Sequence, residues 1–234
     1  MKTAILSLLL VGAAFAEPFM PASKDAVVVR VPRGLKPVVK TRDLGKACAD
    51  ARHYIELCRA TGDQRYIGYA EGVLASWINL KEPPGEVLYL RATLRQSRHD
   101  FEASLRDLDK ILAKDPRDRG AVLTKIAVLQ AQGRIEEARA ECQRSPWLAS
   151  DLTGIATIAS VASMSGQAEA SFNLLKRALP ENSTNGWAWT TLAEIAVRAG
   201  RKTDAAEAFK KALGVTTNDA YLQRVYAEFK ATAQ

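Results

Sequence analysis

Only two histidines, His53 and His99, and three cysteines, Cys48, Cys58 and Cys142, occur among the 234 residues, so metal, nucleophilic and redox chemistry have few places to reside. His53 and Glu56 stand three apart, a spacing that puts both side chains on one helix face, where they could offer two ligands to a zinc ion. A zinc site takes three or four ligands, so a surface or interhelix histidine is the ordinary reading of His53. No His-Glu-x-x-His, Gly-x-Ser-x-Gly, phosphate-cradling glycine loop or Cys-x-x-Cys is present. Glu136 with Glu137, and Asp107 with Asp109, are adjacent or two apart, so on a helix neither pair converges on one point, and solvation accounts for both. The expectation is a chain that is not an enzyme, with no catalytic residue, no metal and no cofactor.

Three cysteines make no complete disulfide framework. Cys48 and Cys58 would sit about 15 Å apart along one helix, whereas bridged Cα atoms lie within about 7 Å, so these two cannot pair there. Cys142 falls where a packed residue is expected and reads as a small buried hydrophobe, with a long-range bridge or a reactive thiol as the other readings.

The first residues have the pattern of an export signal: Lys2, an apolar run from Ala4 to Ala16, and the small residues of Ala14-Phe15-Ala16 before Glu17. Cleavage is expected after Ala16, giving an exported, periplasmic or secreted chain. The run is too short for a spanning helix, which needs about 20 apolar residues, and Glu17-Pro18 ends it abruptly. An N-terminal core helix is the alternative. Residues 17–41 carry Pro18, Pro21, Pro32 and Pro37 around Val27-Val28-Val29 and predict an extended arm. Its basic residues Arg30, Arg33, Lys36 and Lys40 make it a candidate for weak contact with an anionic surface, against the plainer reading of a solvated leader. The formal charge of +7 does not signal nucleic acid, because Arg106, Lys110, Arg201 and Lys210 alternate with Asp107, Asp109, Asp204 and Glu207.

What must position any working residue is a repeat. His99-Asp100-Phe101-Glu102, Gly133-Arg134-Ile135-Glu136, Gly166-Gln167-Ala168-Glu169 and Gly200-Arg201-Lys202-Thr203 begin 34, 33 and 34 residues apart. Around each landmark two apolar stripes of helical period appear; Trp189, Leu192, Ala193 and Ala196, then Ala205, Phe209 and Ala212, are the clearest. These residues and this period resemble the tetratricopeptide repeat family, and the resemblance covers residue 43 onward, most clearly 84–217. It implies an all-α, right-handed α-solenoid of about five helix hairpins over residues 42–217, the first degenerate. Residues 218–234, with Leu222, Val225, Tyr226 and Phe229 on one face, are expected to form a C-terminal capping helix. Further expectations are helices over 43–60 and 65–79, with Ala70, Leu74 and Trp77 in one stripe, and Asp100 as a helix N-cap. His99 stands where three other repeats have Gly, so local turn geometry is its expected role.

In that family the first helix of each pair lines a concave groove. Carried onto this chain, the resemblance implies a partner-binding groove built from Tyr89, Thr93 and Gln96; Leu123 and Gln130; Thr157 and Ser160; and Trp187, Thr191, Glu194 and Arg198. Glu86, Ala127, Thr153 and Thr190 flank them. The Lys and Asn clamp with which one branch grips a terminal carboxylate is absent. The expected function is a non-catalytic protein- or peptide-binding scaffold or adaptor of the cell envelope, with Tyr89 and Trp187 as aromatic anchors and no nucleic-acid partner. The alternative is an envelope enzyme accessory or glycan-binding protein using the N-terminal arm plus the groove.

Overall fold

The computed structural model describes residues 42–216 and 219–233. The expected export signal (1–16), the arm (17–41) and Asn218 of the capping segment lie outside the described residues. Among the described residues there are eleven α-helices: α1 Leu44–Thr61, α2 Arg65–Leu74, α3 Gly85–Ser97, α4 Phe101–Leu112, α5 Arg119–Ala131, α6 Ile135–Arg144, α7 Leu152–Met164, α8 Ala168–Ala178, α9 Gly186–Arg198, α10 Lys202–Val215 and α11 Ala220–Ala233. Among the described residues there is no strand, and no helix is long and apolar enough to cross a membrane. The helices pair in order into five hairpins, with α11 following alone.

Each hairpin turns through one left-handed residue: Gly62, His99, Gly133, Gly166 and Gly200 have φ between 60° and 85°. In the last four the next residue's N–H donates to the carbonyl five positions back, as in Asp100 N to Arg95 O at 2.9 Å and Arg134 N to Leu129 O at 2.9 Å. This is the helix-ending bond that a left-handed residue permits. His99 is the single non-glycine there, with φ 60°, and its ring packs edge-on against Phe101.

Four of the five first helices start differently from the second ones, α3 alone following Pro84 without a capping side chain. Asp43, Asp118, Asp151 and Asn185, and Asp219 before α11, each accept an N–H from the first turn at 2.8–3.1 Å. The second helices of the last four hairpins issue straight from the tight turn and have no such cap, while in the first hairpin the Arg65 N–H donates to Asp63 Oδ1 at 3.0 Å. Asp100 accordingly holds the N-cap position of α4 without a side-chain bond, which corrects the expected cap.

Two local departures matter. The expected helix over 65–79 ends at Leu74, and Trp77 lies in the turns that follow. Arg91 Nη1 takes the Ile78 carbonyl at 2.6 Å, which binds that segment to α3 rather than letting it continue as helix. Between the third and fourth hairpins, Pro146–Ser150 forms a 3-10 turn that runs against the start of α7. A Cβ on Gly154 would sit 1.7 Å from the Leu148 carbonyl oxygen, so only glycine permits this approach.

No hairpin has an interior of its own. Ala47, Cys48, Ala51, Ile67 and Leu74 of the first pack with Val87, Leu90 and Leu94 of the second. Phe172 and Leu175 of the fourth pack with Trp189, Leu192 and Phe209 of the fifth. Leu222, Val225, Tyr226 and Phe229 of α11 close over that last cluster, covering apolar surface that the end of a stack would otherwise present to water.

Candidate functional site

The first helices lie side by side along one face, and hydrogen bonds step across it from helix to helix. Tyr89 of α3 meets the Thr124 hydroxyl of α5 at 3.3 Å. Gln130 Nε2 of α5 donates to Ser160 Oγ of α7 at 3.0 Å. Arg198 Nη1 of α9 donates to Ser163 Oγ of α7 at 3.3 Å. The Tyr221 hydroxyl of α11 donates to Glu194 of α9, whose carboxylate lies 4.0 Å from Arg198. Burial raises the Tyr221 phenol's pKa, and the Glu194 charge and the bond to it push in the same direction, so this hydrogen stays in place.

The sequence-derived groove residues divide accordingly. Tyr89, Gln130, Ser160, Glu194 and Arg198 are brought together in this ladder. Thr157 and Thr191 are buried, and their hydroxyls donate to the Thr153 and Trp187 carbonyls of their own helices. Thr93 likewise donates to the Tyr89 carbonyl, and Gln96 and Leu123 are half-buried. Exposed on the first helices are the apolar Ala127, Met164, Trp187 at 47% and Val197 at 44%, together with the charged Glu86 and Arg198. Chemically, the face offers satisfied polar groups and open apolar ones.

Reactive groups are withdrawn. All three cysteines are free and buried. Burial, reinforced by the neighbouring Glu86 and Glu141 charges respectively, pushes the Cys48 and Cys142 thiols up to about 11. His53 is exposed, its ring tilted against Tyr54. Among the described residues no group of three or more His, Cys, Asp or Glu side chains could hold a metal ion.

Residues 162–229, the stretch holding α8 to α10 and most of α11, match the family model for the tetratricopeptide repeat. Over that stretch the chain carries the tetratricopeptide repeat pattern. Two solved structures share the fold: a thermophilic tetratricopeptide protein of Thermus thermophilus and a tetratricopeptide repeat protein of Parabacteroides merdae. The first is 18% identical with a TM-score of 0.62, over 80% of this chain and 98% of that one. The second is 18% identical with a TM-score of 0.61, over 79% of this chain and 70% of that one. No curated protein sequence matches the chain.

The tetratricopeptide register exposes what the reading of charges missed. Asp107 does not face solvent: it is 1% exposed and held by Arg91 Nε and Nη2, each at 2.8 Å, and by Arg95 Nη1 at 2.5 Å. One repeat on, Lys125 and Glu141 stand at the same two positions, eight before and eight after the turn, and approach to 3.2 Å. Burial tends to raise the Glu141 pKa, but bonds from Arg144 and Lys125 outweigh it and hold it below the usual range. The same two positions are Ile158 and Leu174, then Leu192 and Ala208, in the later repeats. Neighbours along the helix point to solvation of Asp107; the column across repeats, cation facing acid or apolar facing apolar, carries the signal that finds its true setting.

Proposed function

We propose that this protein is a non-catalytic scaffold of the cell envelope that binds a protein or peptide client along the face made by its first helices. The observation that carries the reading is that face itself. Its polar side chains are already bonded across neighbouring helices, while Trp187, Val197, Met164 and Ala127 stand open. A client laid there loses no hydrogen bond to a stranded partner and gains apolar contact, with Trp187 the largest anchor. The neutral character of the ladder, broken only by Glu194 and Arg198, favours an uncharged stretch over an acidic or basic one.

The test is capture by crosslinking in intact cells with the natural chain and with Ala127→Asp/Trp187→Ala. Both positions are exposed, so helicity should be unchanged while client capture is lost. Undiminished capture removes this face from the reading. Export is tested separately: sequencing the mature N-terminus should find Glu17 first, and an intact Met1 in the cell's final product would refute it.

A further inference from the structure

The two ends of the array meet. Gly62, which ends α1 with φ 72°, has one neighbour on its Cβ side: the Ala220 methyl of α11, 3.4 Å from where a Cβ would stand. The two residues are 158 positions apart in the chain. The first turn of α11 thereby points three ways. Ala220 rests on the tip of the first hairpin, the Tyr221 hydroxyl bonds Glu194 of α9, and Leu222 is buried in the core of the last repeat. Asp219 caps this turn through the Leu222 N–H at 3.0 Å. The last helix of the array therefore touches the first, and the face made by the first helices runs between the two points that meet.

We propose that this contact is a clasp controlling entry to the client face. The proposal rests on the client-face reading above. At the first hairpin no described residue of α11 joins the apolar core, the nearest approach to Gly62 being the Ala220 methyl, whereas α11 is anchored to the last repeat by Leu222, Val225, Tyr226 and Phe229. The weak side of α11 is thus the one that bridges the ends. Opening does not unfold the cap; it lets the coil relax, because a solenoid spreads a small change of angle over each of its successive interfaces. Closed, the coil keeps bulky partners from Ala127 and its neighbours on the inner face; open, it admits a client.

A cross-link tests this without any client. In Gly62→Cys/Ala220→Cys the Cβ atoms would start 3.4 Å apart, next to the usual disulfide range of about 3.5–4.5 Å. The native cysteines are buried and do not compete. Mild oxidation should consume both new thiols and shift the chain on a non-reducing gel. Because a side chain at position 62 is strained by the positive φ, spin labels on Thr61→Cys and Gln223→Cys give a second readout. They should report a population within about 20 Å, against roughly 50 Å for five hairpins stacked without closure at helix spacings of about 10 Å. Absence of both the bond and the short distance overturns the clasp. Access is then read on Ala127→Cys with a long polyethylene-glycol maleimide. Locking the ends should slow its labelling about tenfold relative to the unlocked background, since only the opened coil reacts. Equal rates would overturn the control of entry while leaving the contact itself standing. None of these readouts uses a client, so their failure is distinct from failure of the client-face reading, which is decided by capture with Ala127→Asp/Trp187→Ala.

Discussion

Replacing Asp107 by Ala removes the single carboxylate between two guanidinium groups. Arg95, 31% exposed, can turn to water; Arg91, 11% exposed and tied at 2.6 Å to the Ile78 carbonyl, cannot. An enclosed cation left without its partner costs about 3–5 kcal/mol. The fifth repeat supplies the control, because its Leu192 and Ala208 occupy the same two positions and are both buried. Arg91→Leu/Asp107→Ala copies that pair. The double variant should lose only about 1 kcal/mol, chiefly from the donor withdrawn from the Ile78 carbonyl. Arg91→Leu alone leaves Asp107 on Arg95 and should cost about 1–3 kcal/mol. Urea unfolding followed by circular dichroism, with all four proteins compared as a cycle, should therefore give a coupling of at least about 3 kcal/mol. A double variant as unstable as Asp107→Ala would refute the reasoning, because the loss would then come from the missing ion pair and not from the stranded charge.

Ser104 and Ser171 hold one repeat position, but Ser104 Oγ donates to the Ala92 carbonyl at 2.8 Å and the buried Ser171 Oγ has no partner; Ser104→Ala should cost about 1 kcal/mol and Ser171→Ala should be neutral or stabilising in thermal melts. Gly154→Ala drives a methyl into the Leu148 carbonyl and should cost about 1–3 kcal/mol, whereas Gly68→Ala, with nothing within 4 Å, should stabilise α2 by up to about 1 kcal/mol on the same melts. Glu141 has a folded pKa below its ordinary 4.5, so it contributes stability above pH 4.5 that is lost as pH falls through the folded value; Glu141→Gln should flatten that part of the acid limb of a melting-temperature profile, and an unchanged limb would refute it. With the Cys48 and Cys142 thiols near 11, about one in a thousand of each is thiolate at pH 8. A thiol reagent should therefore find none of the three cysteines in the native chain and all three in denaturant.

The hairpins were legible because their signals are local. A left-handed turn residue, an Asp or Asn ahead of four of the five first helices, and apolar stripes of helical period all act within one repeat. The expected helix over 65–79 stops at Leu74, and what holds the following turns comes from elsewhere in the chain: Arg91, in the next hairpin, donates to the Ile78 carbonyl. The 3-10 turn before α7 is likewise dictated from outside, since Gly154 in the next helix is what lets Leu148 come so close. Of the groove residues, a helical wheel places Thr157 and Thr191 beside the open face, yet both are buried, and the depth of a position in a stack is not written in the spacing of one helix.

Closure of the ends was beyond reach for the same reason, compounded. A stack's curvature accumulates over successive interfaces, and each interface angle depends on the side chains packed there. In this chain the close-packing position of the second helices reads Ala70, Ser104, Ala138, Ser171 and Ala205, small in every repeat. That lets the two helices of each hairpin approach, but it does not say by how many degrees one hairpin turns from the next. The charged columns add a second asymmetry: ionic pairs join the helices of the second and third hairpins, while apolar residues hold the same two positions in the fourth and fifth. An ion pair demands one geometry, while apolar side chains tolerate sliding. The compliant part of the coil should accordingly be its C-terminal half, the half that carries α11 and swings the clasp.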